Sequence, residues 1–288
     1  MYPLEKRWLK NASKFKGKTE YDLVISNSSP AASHKLVAIL KNRERIRFKR
    51  WIQIWEDPWY FDLYGGHSTK IQEEEKTLLK EASEVYYVSP LTLEYQKKYY
   101  PECAEKMKCI PLPFLEFGEK GKKEVQEFSV GYFGDYYSQT RNLKPFYDAV
   151  SEHEIKCYIY GDSDIKLVGN DMVTVSGRVT LDKLSVVQDS TGVLVHLCNL
   201  KGGQIPGKIY HYSATDKPIL FILDGTLEEQ KIIKEYFERF NRYYFCENNK
   251  ESICKAISEL KNNFQKYKGI EVKEFMPKNV IKKLLESN

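Results

Sequence analysis

The residue types that could do chemistry gather in the stretch 202–220, GGQIPGKIYHYSATDKPIL. Lys208, His211 and Tyr212 are spaced so that a helix carries them along roughly one face. A helix start presents unpaired N–H groups and a partial positive charge, which favour phosphate, and Lys208 in the first turn adds a full cation. Gly202, Gly203, Pro206 and Gly207 make the preceding loop irregular, with Gln204 as its exposed polar group. The chemistry implied is anion binding. The same features also suit a plain glycine-rich turn in front of a core helix.

Loop, helix start and the apolar strand PILFIL (218–223) form, in that order, the ligand-facing unit of an open α/β sheet. The rest of the chain predicts such sheets twice. A helical segment over 1–18 leads to strands at 21–26, 47–56, 84–89 and 108–113, with helices at 31–40, 68–83 and 91–100 between them. Ser29, Ser68 or Thr69, and Ser89 are placed to cap those helices. The stretch 116–127, EFGEKGKKEVQE, is charged and poor in apolar residues and reads as a linker. A second alternation follows, with strands at 128–133, 155–160, 172–175, 192–197, 218–223 and 243–246. Its helices fall at 142–151, 180–189 (capped by Thr180), 208–215, 226–240 and 250–266, and a final one at 277–285. This alternation implies an α/β protein with two Rossmann-like, doubly wound parallel-sheet domains. The boundaries expected are 1–115, a linker at 116–127, 128–268, and a C-terminal crossover helix in 269–288.

Composition narrows the class. The chain has 288 residues, enough for two cores, and 42% hydrophobic with 30% charged residues is ordinary for a soluble protein. No apolar run approaches the ~20 residues of a membrane span, and no signal peptide precedes the first domain. The six cysteines lack CxxC or zinc spacing and read as reduced thiols of a cytoplasmic protein. No HExxH, Ser-His-Asp or Walker constellation is present, so metal, hydrolase and kinase readings have no support. The basic runs Lys6, Arg7, Lys10, Lys14, Lys16, Lys18 and Lys41, Arg43, Arg45, Arg47, Lys49, Arg50 read either as solvated faces or as peripheral contacts with an anionic inner membrane face. No nucleic-acid-binding motif accompanies them.

The segment PGKIYHYSATDKPIL resembles the sugar-nucleotide-lining segment of retaining GT-B glycosyltransferases of family 4. Lys208, Tyr212, Ala214, Lys217 and Pro218 fall in register. His211 stands where that family usually has a donor-binding glutamate, and Gly203 where a second glutamate is frequent. Asp57-Pro58-Trp59 matches the end of a strand that carries "(R)DPW" in the family, and 84–113 resembles its helix–strand–helix–strand region. By that resemblance the chain transfers a sugar from a nucleotide diphosphate donor to a glycan or lipid-linked acceptor, without a cofactor or metal, in surface polysaccharide biosynthesis. Donor-binding residues would be Gly134, Arg141, Gly177, Val179, Gln204, Lys208 and Tyr212. Arg141 would grip the diphosphate, since a guanidinium suits bidentate phosphate recognition, and Gly177 and Val179 would meet the base. Asp57, facing the acceptor, and His211 are the catalytic candidates.

Several have ordinary alternatives, an exposed arginine for Arg141 and a strand-ending turn for Asp57, and His196, at the cleft-side end of GVLVHL, reads as a satisfied core histidine. Only about twenty residues precede the first strand, so the first domain is expected to be incomplete at its front relative to the family. That shortening, with His211 and Gly203 in place of glutamates, also suits a non-catalytic sugar-nucleotide binder or a subunit needing a partner chain.

Overall fold

The computed structural model describes residues 3–17, 20–65, 67–114 and 127–286. Most of the expected linker, 116–126, therefore lies outside the described residues. The chain forms two compact units. The first comprises Met1–Ile110 together with Gly202–Gln204, and the second Pro111–Lys201 with Ile205–Asn288.

In the first unit α1 (Pro3–Ala12) precedes β1 (Tyr21–Ser28), α2 (Ala32–Asn42), β2 (Phe48–Trp55), α3 (Thr69–Glu81), β3 (Glu84–Tyr87), α4 (Pro90–Tyr99) and β4 (Met107–Cys109). The strands pair in parallel in the order β1-β2-β3-β4. Strands of a parallel sheet are covered on both faces and so read as continuous apolar runs. Accordingly Trp51, Ile52, Trp55, Val85, Tyr86 and Tyr87 are fully buried. Glu84, nearly buried at the start of β3, ties three neighbouring strands together. It accepts from Arg50 on β2, from Lys108 Nζ on β4 at 3.0 Å and from the Tyr86 hydroxyl at 2.8 Å. Ser68 and Ser89 cap α3 and α4 through their hydroxyls. Ser29 does not cap α2, whose N-cap is Ala31 with no side-chain bond. The strand expected at 108–113 is only Met107–Cys109, because Pro111 and Pro113 offer no N–H to a ladder.

The second unit runs β5 (Val130–Phe133), α5 (Lys144–Glu152), β6 (Cys157–Tyr160), β7 (Val173–Ser176), α6 (Leu181–Ser190), β8 (Val193–Leu197), α7 (Lys208–Tyr212), β9 (Ile219–Leu223), α8 (Leu227–Glu238), β10 (Tyr243–Glu247), α9 (Lys250–Asn262) and α10 (Pro277–Glu286). All six strands are parallel, in the order β10-β9-β8-β5-β6-β7. The chain starts in the centre and winds outward in both directions, so the order reverses between β5 and β8. In such sheets the crevice at the carboxyl ends of those two strands is where ligands bind. A core of Val130, Val193, Val195, Leu220, Ile222, Ile253 and Leu260 fixes the strands. Thr226 and Glu229 form a reciprocal cap on α8, whereas Thr180 precedes α6 without a side-chain cap bond. All six cysteines are free thiols. Among the described residues no helix is long and apolar enough to cross a membrane, and no group of three His, Cys, Asp or Glu could hold a metal ion.

Each unit buries one histidine. His34 Nδ1 meets Ser26 Oγ at 2.7 Å, with its ring against Trp55, and His196 packs on Phe221. Burial pushes both pKa values from 6.5 to about 3, with Arg141 adding to the effect at His196. Between those values the unfolded chain binds protons that the folded chain refuses. Stability therefore falls as pH drops from 6.5 toward 3, by at most about 1.4 kcal/mol per pH unit for each histidine. Urea denaturation at about pH 7.5 and about pH 5 should show the lower midpoint at the acid value; equal midpoints would contradict neutral burial of the two rings.

Candidate functional site

The turn after β5 carries Gly134, Asp135 and Arg141, and four features lock it. Gly134 N–H donates to the Tyr160 carbonyl at 2.9 Å at the end of β6. Gly161 packs so closely that an added Cβ would lie 1.9 Å from the Gly134 carbonyl oxygen, which leaves glycine as the residue that fits. Tyr137 and Arg141 exchange main-chain hydrogen bonds, and Leu200 N–H, after β8, donates to the Thr140 carbonyl at 2.8 Å. The two loops flanking the reversal point are thus joined.

Arg141 spans the same point with its side chain. Its Nε and Nη2 donate to Asn199 Oδ1 at 3.0 and 2.6 Å, and its Nη1 to the Asp135 carbonyl at 3.0 Å. The guanidinium is oriented before any ligand arrives. Asp135 in turn accepts from Arg178, which follows β7, and Arg178 also lies 3.4 Å from Asp162. Arg178 holds the Asp135 carboxyl below its usual range, with Lys208 adding attraction. Lys208, half-buried and without a hydrogen bond or ion pair among the described residues, has its pKa lowered by burial and by Arg141 and Arg178, against the pull of Asp135. Arg178 thus faces two carboxylates, Asp135 and Asp162, Arg141 holds the Asp135 carbonyl, and Lys208 feels the Asp135 charge, all at the carboxyl ends of β5, β8 and β7; three cations meet two carboxylates, and the local balance is cationic.

The helix expected at 208–215 is the five-residue α7; its Ile209 N–H donates to the Pro206 carbonyl and its Tyr210 N–H to that of Gly207, both at 3.2 Å. His211 is half-buried beside Lys208; burial and that cation lower its pKa, and its Nδ1 is buried without a partner. Tyr212 is 5% exposed, and its hydroxyl bonds the Gln188 side chain and the main chain at Phe133. Gly177 and Val179 stand after the edge strand β7, Gly177 exposed beside Asp162 and Val179 half-buried. His196 is a core residue behind Arg141, although its Nε2 lacks a partner.

The other candidates belong to the first unit. Gln204 Nε2 donates to Asp57 Oδ1 at 2.9 Å, and its Oε1 accepts from Leu63 N–H at 2.9 Å. Burial raises the Asp57 pKa, Gln204 partly offsets this, and Asp62 and Glu56 add to the rise. The segment holding Asp57 is tied down by Glu75, fully buried in α3, which accepts from the main-chain N–H groups of Trp59 and Tyr60 and from the Tyr100 hydroxyl. Sequence reasoning missed Glu75, Asp135, Arg178 and Asn199. The last three each follow a strand of a doubly wound sheet, which is the signal that could have found them.

No family model and no curated protein matches the chain. Solved structures do match in fold. HepE from Anabaena, crystallised in complex with UDP, is 15% identical with a TM-score of 0.64, over 99% of this chain and 81% of that one. A glycosyltransferase from Rickettsia africae is 13% identical with a TM-score of 0.63 over the same shares. A UDP-N-acetylglucosamine 2-epimerase is 9% identical with a TM-score of 0.55, over 98% of this chain and 76% of that one. The two parallel-sheet α/β units are those of the GT-B fold.

The geometry explains Gly203. Its carbonyl accepts from Ser89 Oγ at 2.5 Å, and a Cβ there would lie 2.9 Å from Thr92 Cα and 3.0 Å from Thr92 N, at the start of α4. Main chain cannot give way as a side chain end can. Gly203→Ala should cost about 1–3 kcal/mol of stability by overpacking, and Gly203→Glu at least as much. Urea melts of both variants check this; a Gly203→Ala protein as stable as wild type would contradict the packing.

Proposed function

We propose that this chain is a retaining glycosyltransferase that moves a sugar from a nucleoside diphosphate donor to a hydroxyl of a glycan or lipid-linked acceptor in surface polysaccharide assembly. One observation carries the reading: Arg141, Arg178 and Lys208 converge at the reversal point of the second unit's sheet. Their fold is shared with a protein crystallised with UDP. As the sugar leaves, negative charge builds on the diphosphate, and cations fixed in advance stabilise that charge without reorganising. Lys208 forms no hydrogen bond or ion pair among the described residues and is the group that a phosphate oxygen would engage first. Asp57, its pKa raised, is the candidate proton acceptor on the acceptor side. Gly134, Gly177 and Val179 are assigned to the nucleotide; the Gln204 amide, already shared between Asp57 and Leu63, is assigned to holding Asp57.

A second reading is a binder that holds the donor without transferring sugar. His211 favours it. A neutral imidazole accepts one hydrogen bond where a carboxylate accepts several, so the sugar or ribose is gripped less firmly.

Incubation with UDP-, GDP- and dTDP-sugars, with release of the diphosphate as readout, separates the two readings. Transfer or hydrolysis supports the enzyme, and binding without turnover supports the binder. In calorimetry Lys208→Ala should weaken the preferred donor by about 1.5–3 kcal/mol, roughly ten- to hundredfold. Unchanged affinity in that variant would remove Lys208 from the site. His211→Glu should tighten donor binding if the imidazole is merely a weaker acceptor; loss of turnover would make the imidazole a working group instead.

A further inference from the structure

The end of the first unit at the amino ends of β1 and β2 has a surface that donor chemistry does not use. On α1, Leu9 and Ala12 are half-buried and Ser13 is buried, and the helix packs on α2 through this side. Leu4 and Trp8, one turn apart, face away at 79% and 45% exposure, and Phe15 beyond the helix end is 55% exposed. Large apolar side chains grouped in this way on one helix, unlike scattered ones, mark a surface that is covered in use.

Cations surround them. Lys6, Arg7, Lys10 and Lys14 are exposed and form no ion pair among the described residues. The fold brings a second basic run to the same place. Arg43 Nη1 donates to Ser13 Oγ at 3.3 Å, Gly17 N–H to the Arg45 carbonyl at 3.0 Å, and Tyr21 N–H to the Arg47 carbonyl at 2.9 Å. Arg43, Arg45 and Arg47 are exposed, whereas Lys41 and Lys49 are neutralised by Glu81 and Asp22. Glu5, Glu20 and Glu44, with Asp22 and Glu81 already paired to Lys49 and Lys41, are the acidic residues named at this end, and the cations outnumber them.

We infer that α1 with its flanking cations is a docking surface for an anionic phospholipid membrane, on which the helix lies in the plane of the interface. The charge pattern fits an anionic partner. The apolar stripe selects a bilayer over a phosphate backbone, because Leu4, Trp8 and Phe15 become buried only in an interface with an apolar side. Tryptophan at headgroup depth keeps its apolar ring in the acyl boundary and its N–H in the wet layer. Docking of this kind needs both terms: the stripe supplies burial, and the cations supply attraction that salt weakens.

The test is sedimentation of the full chain with vesicles of equimolar phosphatidylglycerol and phosphatidylcholine, beside pure phosphatidylcholine and a DNA duplex. The chain should sediment with the anionic vesicles alone, and binding should fall at least about tenfold from about 0.1 M to about 1 M salt, as the screening length shrinks from ~10 to ~3 Å. Trp8 emission should shift to the blue on binding, a shift that Trp8→Ser should remove, since Trp51 and Trp55 are already buried and Trp59 is half-buried. The pairs Leu4→Ser/Trp8→Ser and Lys6→Glu/Lys10→Glu alter solvent-facing side chains, so their thermal melts should match wild type while vesicle binding falls about tenfold or more. Absence of anionic-vesicle binding overturns the inference. Vesicle binding that survives both double variants moves it off α1 and overturns it equally. Retention on the DNA duplex without vesicle binding would assign the surface to nucleic acid.

Discussion

Cations of like sign cannot share a partly dry crevice unless something offsets their repulsion. In water, unit charges 4 Å apart repel by about 1 kcal/mol, and at the effective dielectric of a protein surface by about 4 kcal/mol. Asp135 supplies that offset. Its carboxylate pairs with Arg178, its carbonyl accepts from Arg141, and its charge opposes the burial that would strip the proton from Lys208. Under the proposed function, a diphosphate with more negative charge than Asp135 would meet the same cations, so an anion weaker than the proposed ligand organises the crevice beforehand.

The backbone makes that arrangement possible. β5 enters the centre of the second sheet, and the turns after β5 and β6 meet at the Gly134–Gly161 contact, which admits no side chain at Gly161. Asn199 then fixes the guanidinium of Arg141 from the other side of the reversal point. The first unit uses a comparable device. Glu75 is a carboxylate inside a helix face, kept there by two main-chain N–H groups and a phenol. Burial raises its pKa while these bonds lower it, and losing one of them would leave an uncompensated buried acid. That tie holds the Asp57–Tyr60 turn in place, and Gln204 fixes the carboxyl of Asp57.

Most of the fold was legible because parallel strands buried on both faces leave short apolar runs such as GVLVHL and PILFIL, separated by amphipathic helices. Element ends were less so. The segment 108–113 looks like a strand until its prolines are counted as missing donors, and Ser29 looks like a cap until the N-cap falls two residues later, at Ala31. Within the site, Arg141 and Lys208 could be picked out by residue type and register. Asp135, Arg178 and Asn199 could not, because their roles arise from loops far apart in sequence that meet only when the strand order is known. Glu75 was hidden for the same reason: a carboxylate in a charged helix looks solvated until the chain folded over it is seen. The length of α7 was not legible either: the helix expected at 208–215 is five residues long, and the preceding loop engages its Ile209 and Tyr210 N–H groups.

The central claim is that the cations around Asp135 recognise a diphosphate. Calorimetric titration with UDP, GDP and dTDP beside the matching monophosphates tests it most directly, since base and ribose stay constant while phosphate charge changes. For the preferred base, the diphosphate should bind at least about tenfold more tightly than the monophosphate, the effect of one further charge-assisted contact of ~1.5 kcal/mol. Equal affinity for diphosphate and monophosphate, or no binding of any diphosphate, would contradict it.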